Sequence, residues 1–192
     1  QQKLDYLANG ANHQGVVAYC SFVEYSSLEE TVMNIFEQGR MPFILFLDHL
    51  TDVRNVGAII RTAECAGVDC IILPNEGSAQ INSDAVKTSA GAVLRMPICK
   101  SLNTKTTLNF LKASGIKLYS ASEKADNNYT QVNMQEPLCI IMGAEDKGVS
   151  KEALKMSDEL LKIPMNGEIE SLNVSVAAGV LIYEVVRQRN QF

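Results

Sequence analysis

The stretch from Ile163 to Arg189, IPMNGEIESLNVSVAAGVLIYEVVRQR, constrains this chain more than any other. It begins at an apolar strand end, breaks at Pro164 and Gly167, and offers Ser171 and Asn173. It then runs apolar from Val174 to Val186 with almost no polar face. A helix that is hydrophobic nearly all round is expected to be buried on nearly all sides. Chain ends normally sit at the surface and fray, so the rest of the domain, a second subunit or both must enclose this one. The Ser171-Leu172-Asn173 step then sets polar groups at the mouth of a dry pocket, the geometry of a ligand site.

With 192 residues, 46% of them hydrophobic, the chain can bury one good core. No run of 18 apolar residues marks a spanning helix, and no basic-then-apolar leader opens the sequence, which argues against secretion. The five cysteines (Cys20, Cys65, Cys70, Cys99, Cys139) are odd in number and lack a C-x-x-C spacing. They read as buried thiols, and the expected location is a reducing cytoplasm. His13 and His49 are the only histidines, which argues against a zinc site. A protein that holds nucleic acid unaided usually has a basic face. At a net charge of −5, any such face must be local or supplied by a partner chain or another segment. The sequence opens Gln1-Gln2-Lys3 without an initiator Met, as a piece of a longer protein would.

Residues 1–40 are mixed: a polar start, a β-like run Val16–Tyr25, and a helical pattern Leu28–Gln38 with Leu28, Val32, Ile35 and Phe36 on one face. Gly39 ends that helix. From Pro42 onward, continuously apolar strands alternate with helices. Strands are expected at Phe43–Leu47, Cys70–Leu73, Met96–Cys99, Lys117–Ser120, Leu138–Met142 and Leu160–Ile163. Helices are expected at Gly57–Ala66, Ala85–Ser89, Thr104–Ser114 and Lys151–Met156. Strands apolar on both faces mean a parallel sheet covered on both sides, so the fold class is α/β.

Ligands in such folds bind at loops following the carboxyl ends of strands, and three loops stand out. The first is Asp48-His49-Leu50-Thr51-Asp52-Val53-Arg54-Asn55-Val56-Gly57, leading into a helix that carries Arg61. There Gly57 is expected to let the backbone turn tightly. The second is Gly143-Ala144-Glu145-Asp146-Lys147-Gly148, whose glycines suit close backbone approach to a ligand. The third is Ser171-Leu172-Asn173. Each of the first two also has a plain structural reading: a helix start with a surface arginine, and a strand-to-helix turn with solvated charges. Neither G-x-G-x-x-G nor G-x-x-x-x-G-K-[ST] is present, and no G-x-S-x-G elbow, so dinucleotide, P-loop and hydrolase sites lack support.

Taken in order, N-x-G-x-x-x-R (Asn55, Gly57, Arg61), G-x-E-x-x-G (Gly143, Glu145, Gly148) and Ile163 to Ala177 resemble the three motifs of the TrmH/SpoU branch of the SPOUT methyltransferases. Thr88-Ser89-Ala90-Gly91-Ala92 is similar to a further segment of that family. The resemblance covers about Phe43 to Arg189 and is nearest to the members that methylate a guanosine ribose in 23S ribosomal RNA. Val53 stands where a proline is common. His13-Gln14-Gly15-Val16 resembles the end of a linker from a small N-terminal RNA-binding domain. The resemblance thus implies residues 1–40 as linker and extension and 41–192 as the methyltransferase domain.

It also implies a C-terminal deep trefoil knot, a homodimer, an RNA substrate, and S-adenosylmethionine bound inside the knotted loops. By matching positions, Gly143, Ile163 and Leu172 would hold the cofactor through backbone groups and apolar contact, with Ser120 and Ala121 closing the pocket. The resemblance assigns Arg61 to the reacting centre, where its counterpart has been proposed as a general base. To be half neutral at pH 7, a guanidinium would have to shift by roughly 6 units, costing about 8 kcal/mol. A charged Arg61 that grips phosphate and stabilises charge developing on the 2′-oxygen is therefore expected. Glu145 would hold Arg61 or accept a ribose hydrogen bond. Asn55, Ser171 and Asn173 would fix the sugar and backbone geometry, and Arg95 would be either a plain surface arginine or a further phosphate contact. Three other readings stay open: a transfer RNA substrate, a non-catalytic RNA-binding or ribosome-assembly factor of the same fold, and a small-molecule nucleotide binder.

Overall fold

The computed structural model describes residues 2–10, 12–17 and 23–190. In chain order the elements are α1 (Gln2–Leu7), β1 (Tyr25–Ser26), α2 (Leu28–Glu37), β2 (Phe43–Asp48), α3 (Val53–Cys65), β3 (Cys70–Pro74) and α4 (Ser83–Thr88). There follow β4 (Ile98–Ser101), α5 (Thr104–Ala113), β5 (Lys117–Ala121), β6 (Leu138–Gly143), α6 (Lys151–Met156), β7 (Glu159–Leu161) and α7 (Val174–Asn190).

Side-chain caps set where the helices begin. Ser27, Asp52, Asn82, Asn103 and Ser150 each accept a backbone N–H of the helix they precede, which satisfies a donor the helix would leave unpaired. The cap at Asp52 corrects the expected start at Gly57. It accepts from the Arg54 N–H at 2.7 Å, so α3 begins at Val53 and carries both Asn55 and Gly57 within it. Gly57 therefore does not serve a turn. A Cβ there would lie 1.9 Å from Thr88 Oγ1, so the glycine lets α4 pack against α3.

The seven strands form one sheet in the order β1-β4-β3-β2-β6-β5-β7, and every pairing is parallel. Alternate strand residues serve opposite faces, as the period of a strand dictates. On one face Leu45, Leu47, Ile71, Ile140 and Met142 join Val56, Ile59 and Ile60 of α3 and Ala178, Leu181, Ile182 and Val185 of α7. On the other, Ile44, Phe46, Ile72 and Ile141 meet Leu28 and Val32 of α2, Leu108 and Leu111 of α5, and Ala153 of α6. The strand order reverses between β2 and β6, whose last residues Asp48 and Gly143 stand in register. Such a switch point opens a crevice at the carboxyl ends of the strands.

Three expectations change. Of the β-like run Val16–Tyr25, residues 18–22 lie outside the described residues, Val16 and Val17 form no strand, and pairing is confined to Tyr25–Ser26 at the sheet edge. β1 and α2 pack into the same sheet and core as the residues beyond 41. Cys65 is exposed, unlike Cys70, Cys99 and Cys139, and Cys20 lies outside the described residues.

Among the described residues, one side of α7 is enclosed and the other is left open. Val174, Ala178, Leu181, Ile182 and Val185 are buried, yet Val176 is 53% exposed and Tyr183 51%. The expected burial on nearly all sides is thus not reached within a single chain. The far end of α7 is nonetheless tied down firmly. The Arg189 guanidinium donates to the carbonyls of Met41, Pro42, Met134 and Glu136 and lies over the Phe43 ring at 5.3 Å. Gln188 bridges the Met134 N–H and the Val132 carbonyl.

Candidate active site

At the sheet's switch point, one carboxylate joins three segments distant in sequence: the loop after β6, the first turn of α3 and the start of α7. Glu145 Oε1, on the loop after β6, accepts from Asn55 Nδ2 at 3.1 Å, from Asn173 Nδ2 at 2.7 Å and from the Val174 N–H at 3.2 Å. Asn173 Nδ2 also donates to Asn55 Oδ1 at 3.0 Å. Asn173 Oδ1 in turn accepts the Ser175 N–H at 2.9 Å, so Asn173 is the N-cap of α7. Negative charge at a helix N-terminus is favoured by the helix dipole and its unpaired N–H groups, which makes the first turn of α7 a natural seat for Glu145. Glu145 and Asn173 are both exposed.

Beside this cluster lies a cavity of about 430 Å³. Met142, Leu161, Val174 and Ala177 contribute apolar surface to it, and Gly143 to Val149 and Glu170 to Leu172 form its walls. Gly143, Ile163, Leu172 and Ala121, the residues assigned to a cofactor, all line it, together with Glu145 and Ser171. The wall from 163 to 172 is unusual. None of its backbone N–H or C=O groups makes a hydrogen bond to any described residue. Most of the segment is exposed, so water can meet its main-chain groups, and those of Ile163, Met165, Glu170, Ser171 and Leu172 line the cavity within reach of a ligand.

Several expected roles change on the structure. Gly143 is not held open for a ligand: a Cβ there would lie 2.0 Å from the Gly148 carbonyl carbon and 2.1 Å from the Val149 nitrogen. It is the returning loop that needs the space. Ser120 does not close the cavity either, since it is buried and its Oγ pairs with Ser157 Oγ at 2.6 Å. Glu145 does not hold Arg61. Arg61 lies on α3, about 9 Å along the helix from Asn55 and about 120° around it by helix geometry. It is exposed, and no described residue engages its guanidinium. Arg95 lines a separate cavity of about 380 Å³ with Val23, Glu24 and Met96.

Sequence reasoning missed Met142, Met165, Glu170 and Lys147 as wall residues. Met165 and Glu170 sit within the Ile163–Ala177 motif and were within reach of it. Lys147 had no signal beyond its place between two loop glycines.

The model of the SpoU rRNA Methylase family matches residues 42–183. Over 189 residues, 98% of this chain and 76% of the relative, the sequence is 38% identical to the 23S rRNA (guanosine-2'-O-)-methyltransferase RlmB of Vibrio parahaemolyticus. The AdoMet-bound rRNA methyltransferase from Sinorhizobium meliloti superposes with a TM-score of 0.76 at 28% identity, over 85% of this chain and 61% of that one. The A. aeolicus TrmH/SpoU tRNA modifying enzyme superposes with a TM-score of 0.72 at 31% identity, over 85% of each chain. This chain therefore spans less than two thirds of the S. meliloti protein, and more of the other two.

Proposed function

The chain belongs to the SpoU rRNA Methylase family, and from that premise we propose that it methylates a ribose 2′-hydroxyl of RNA, with S-adenosylmethionine as donor. A guanosine of 23S ribosomal RNA is the substrate that the rRNA-directed relatives favour. The observation that carries this reading is the convergence of Asn55, Glu145 and Asn173 beside a cavity walled by unbonded backbone.

The cavity suits the cofactor. Its volume falls within the ~300–1,000 Å³ of small-molecule sites, its apolar surface suits an adenine ring, and its main-chain wall offers donors and acceptors to polar groups. Ile163, Leu172 and Ala121 would supply apolar contact, and the backbone around Gly143 and 163–172 the hydrogen bonds. When bound, S-adenosylmethionine would supply a methyl on a sulfonium; the 2′-oxygen would take it by in-line displacement as the neutral thioether leaves, and the hydroxyl proton would pass to solvent. This chain's residues have the task of holding the hydroxyl in line and compensating the charge it develops.

Glu145 is held by two amides and a helix N-terminus, which leaves Oε2 to accept a ribose hydroxyl. Asn55 and Asn173 lock that carboxylate in place, and Asn55 presents its remaining amide N–H to the sugar. Ser171 lies at the cavity rim and is free to bond the RNA backbone. Arg61, exposed and engaged by no described residue, carries a planar guanidinium fork that matches phosphate. It serves as anchor and charge stabiliser rather than as base.

Two further features belong to this proposal. The exposed apolar flank of α7 around Val176 and Tyr183 meets its equivalent in a two-fold dimer, the commonest closed symmetry. The segment leading into α7 threads the preceding loops as a trefoil knot. Supporting this, α7 packs on α3 while its last residues bond the strand entries at Met41, Pro42 and Glu136.

The test is methyl transfer from labelled S-adenosylmethionine to 23S ribosomal RNA and to bulk transfer RNA, with the modified nucleotide mapped by its resistance to alkaline cleavage. Incorporation at one guanosine ribose of 23S RNA is expected. Incorporation into transfer RNA alone would replace the substrate, and cofactor binding without transfer to any RNA would leave a non-catalytic binder.

A further inference from the structure

The segment from Ala144 to Val149 closes one side of the cavity, and besides the bonds that Glu145 makes to Asn55, Asn173 and Val174 three points fix its shape. At its start the backbone folds back over Gly143. Within it, the Gly148 N–H donates to the Ala144 carbonyl at 2.7 Å. At its far end, the Ser150 N–H donates to Asp48 Oδ2 at 2.7 Å. That third tether crosses from the end of β2 to the start of α6, and its acceptor is out of place. Asp48 ends a strand otherwise composed of Phe43, Ile44, Leu45, Phe46 and Leu47, and its side chain is wholly buried. Burying a carboxylate is costly unless its oxygens are bonded. Here Oδ1 meets His49 Nδ1 at 2.6 Å, and Oδ2 meets the loop. His49 reaches this position with φ at +58°, a left-handed backbone that side chains other than glycine's rarely adopt. The methyl-transfer chemistry described above makes no use of either residue.

We propose that Asp48 is a positioning residue for the cofactor pocket: its carboxylate pins the Ser150 N–H, and through it the Ala144–Val149 loop, in the shape that lines the cavity. This rests on the reading that the cavity binds S-adenosylmethionine. If the loop binds cofactor only when tethered, losing the tether lowers affinity by the fraction of chains still competent. Linkage then requires the converse, that bound cofactor strengthens the tether.

The experiment is calorimetry of the whole chain with S-adenosylmethionine, comparing wild type, Asp48→Ala and Asp48→Asn. Asp48→Ala should bind roughly 10- to 100-fold more weakly, the factor for one charge-assisted hydrogen bond. It should raise KM for the cofactor while KM for RNA and the saturated kcat hold. Asp48→Asn keeps an acceptor oxygen for Ser150 and should recover most of the affinity. In the wild type, hydrogen exchange of the Ser150 amide should slow at saturating cofactor. Wild-type affinity in Asp48→Ala, no recovery in Asp48→Asn, or a Ser150 amide indifferent to cofactor would each overturn the proposal. The last readout decides the matter even if Asp48→Ala does not fold. Failure of the wild type to bind at all would instead sink the cofactor reading.

Discussion

At the mouth of α7, Asn173 and the Val174 N–H meet Asn55 and Glu145 in the open. At its tail, Gln188 and Arg189 meet the carbonyls of Met41, Pro42, Val132, Met134 and Glu136 in mostly half-buried surroundings. Both ends use long-range bonds from amide or charged side chains, and surroundings separate them. Exposed polar contacts exchange freely with water and contribute about 0–1 kcal/mol. A half-buried guanidinium that satisfies several carbonyls is worth more, because its removal leaves groups with no substitute partner. The mouth is thus built to present groups, and the tail to hold the chain.

That comparison breaks most visibly at the mouth. Arg61→Ala and Glu145→Ala should each lower single-turnover methylation by ~100-fold or more, the loss that follows removal of a key electrostatic group. Their stability should stay within about 0.5 kcal/mol of wild type, as for exposed sites. Arg61→Lys should recover only part of the rate, since it keeps charge without the fork. Near-normal rates for Arg61→Ala would move the reacting centre elsewhere, and a large drop in melting temperature for Glu145→Ala would show the mouth to be structural.

The tail should give the reverse. Arg189→Ala should destabilise the chain by about 2–3 kcal/mol in denaturant unfolding and leave turnover unchanged well below the transition. A slower reaction at undiminished stability would join the two ends functionally.

Between the ends, the exposed flank of α7 offers a third test. Val176→Asp should weaken self-association roughly tenfold or more, about 1.4 kcal/mol. Light scattering would report the loss of a species near twice 21.0 kDa. A wild type that is monomeric at micromolar concentration would remove the dimer.

The smallest effect concerns pH at the tail. The Arg187 guanidinium, aided by Gln188 and opposed by burial, holds the Glu184 carboxyl below its ordinary value of 4.5. A depressed folded-state value stabilises the native chain above 4.5, and that contribution fades as pH falls through the folded value. Glu184→Gln should therefore flatten the loss of stability below pH 4.5, read from denaturant unfolding at a series of pH values.

Much of the sheet was legible because it is buried on both faces. Phe43–Leu47, Cys70–Leu73 and Leu138–Met142 are apolar at every position, and their strands extend only a residue further. The start of α3 was misplaced because Asp52 caps it, a local bond that hydrophobic periodicity does not register. β1 escaped because two residues at a sheet edge carry no pattern of their own. At the site, residue order matched the family motifs, yet the bonds differed from expectation. Glu145 holds Asn55 and Asn173 rather than Arg61, and Gly143 makes room for protein rather than ligand.

By itself, the sequence determined the α/β class, the strand cores, and which short segments carry chemistry. These follow from side-chain period, apolar runs and residue type, all properties of neighbours along the chain. Only the tertiary structure decided that Asn55, Glu145 and Asn173 share one oxygen, that the buried Asp48 tethers Ser150, and that α7 keeps an exposed apolar flank. The partners in these contacts come from distant parts of the chain. Their pairing depends on how β2 and β6 meet at the switch point, where the packing of whole layers brings loops together that no local pattern links.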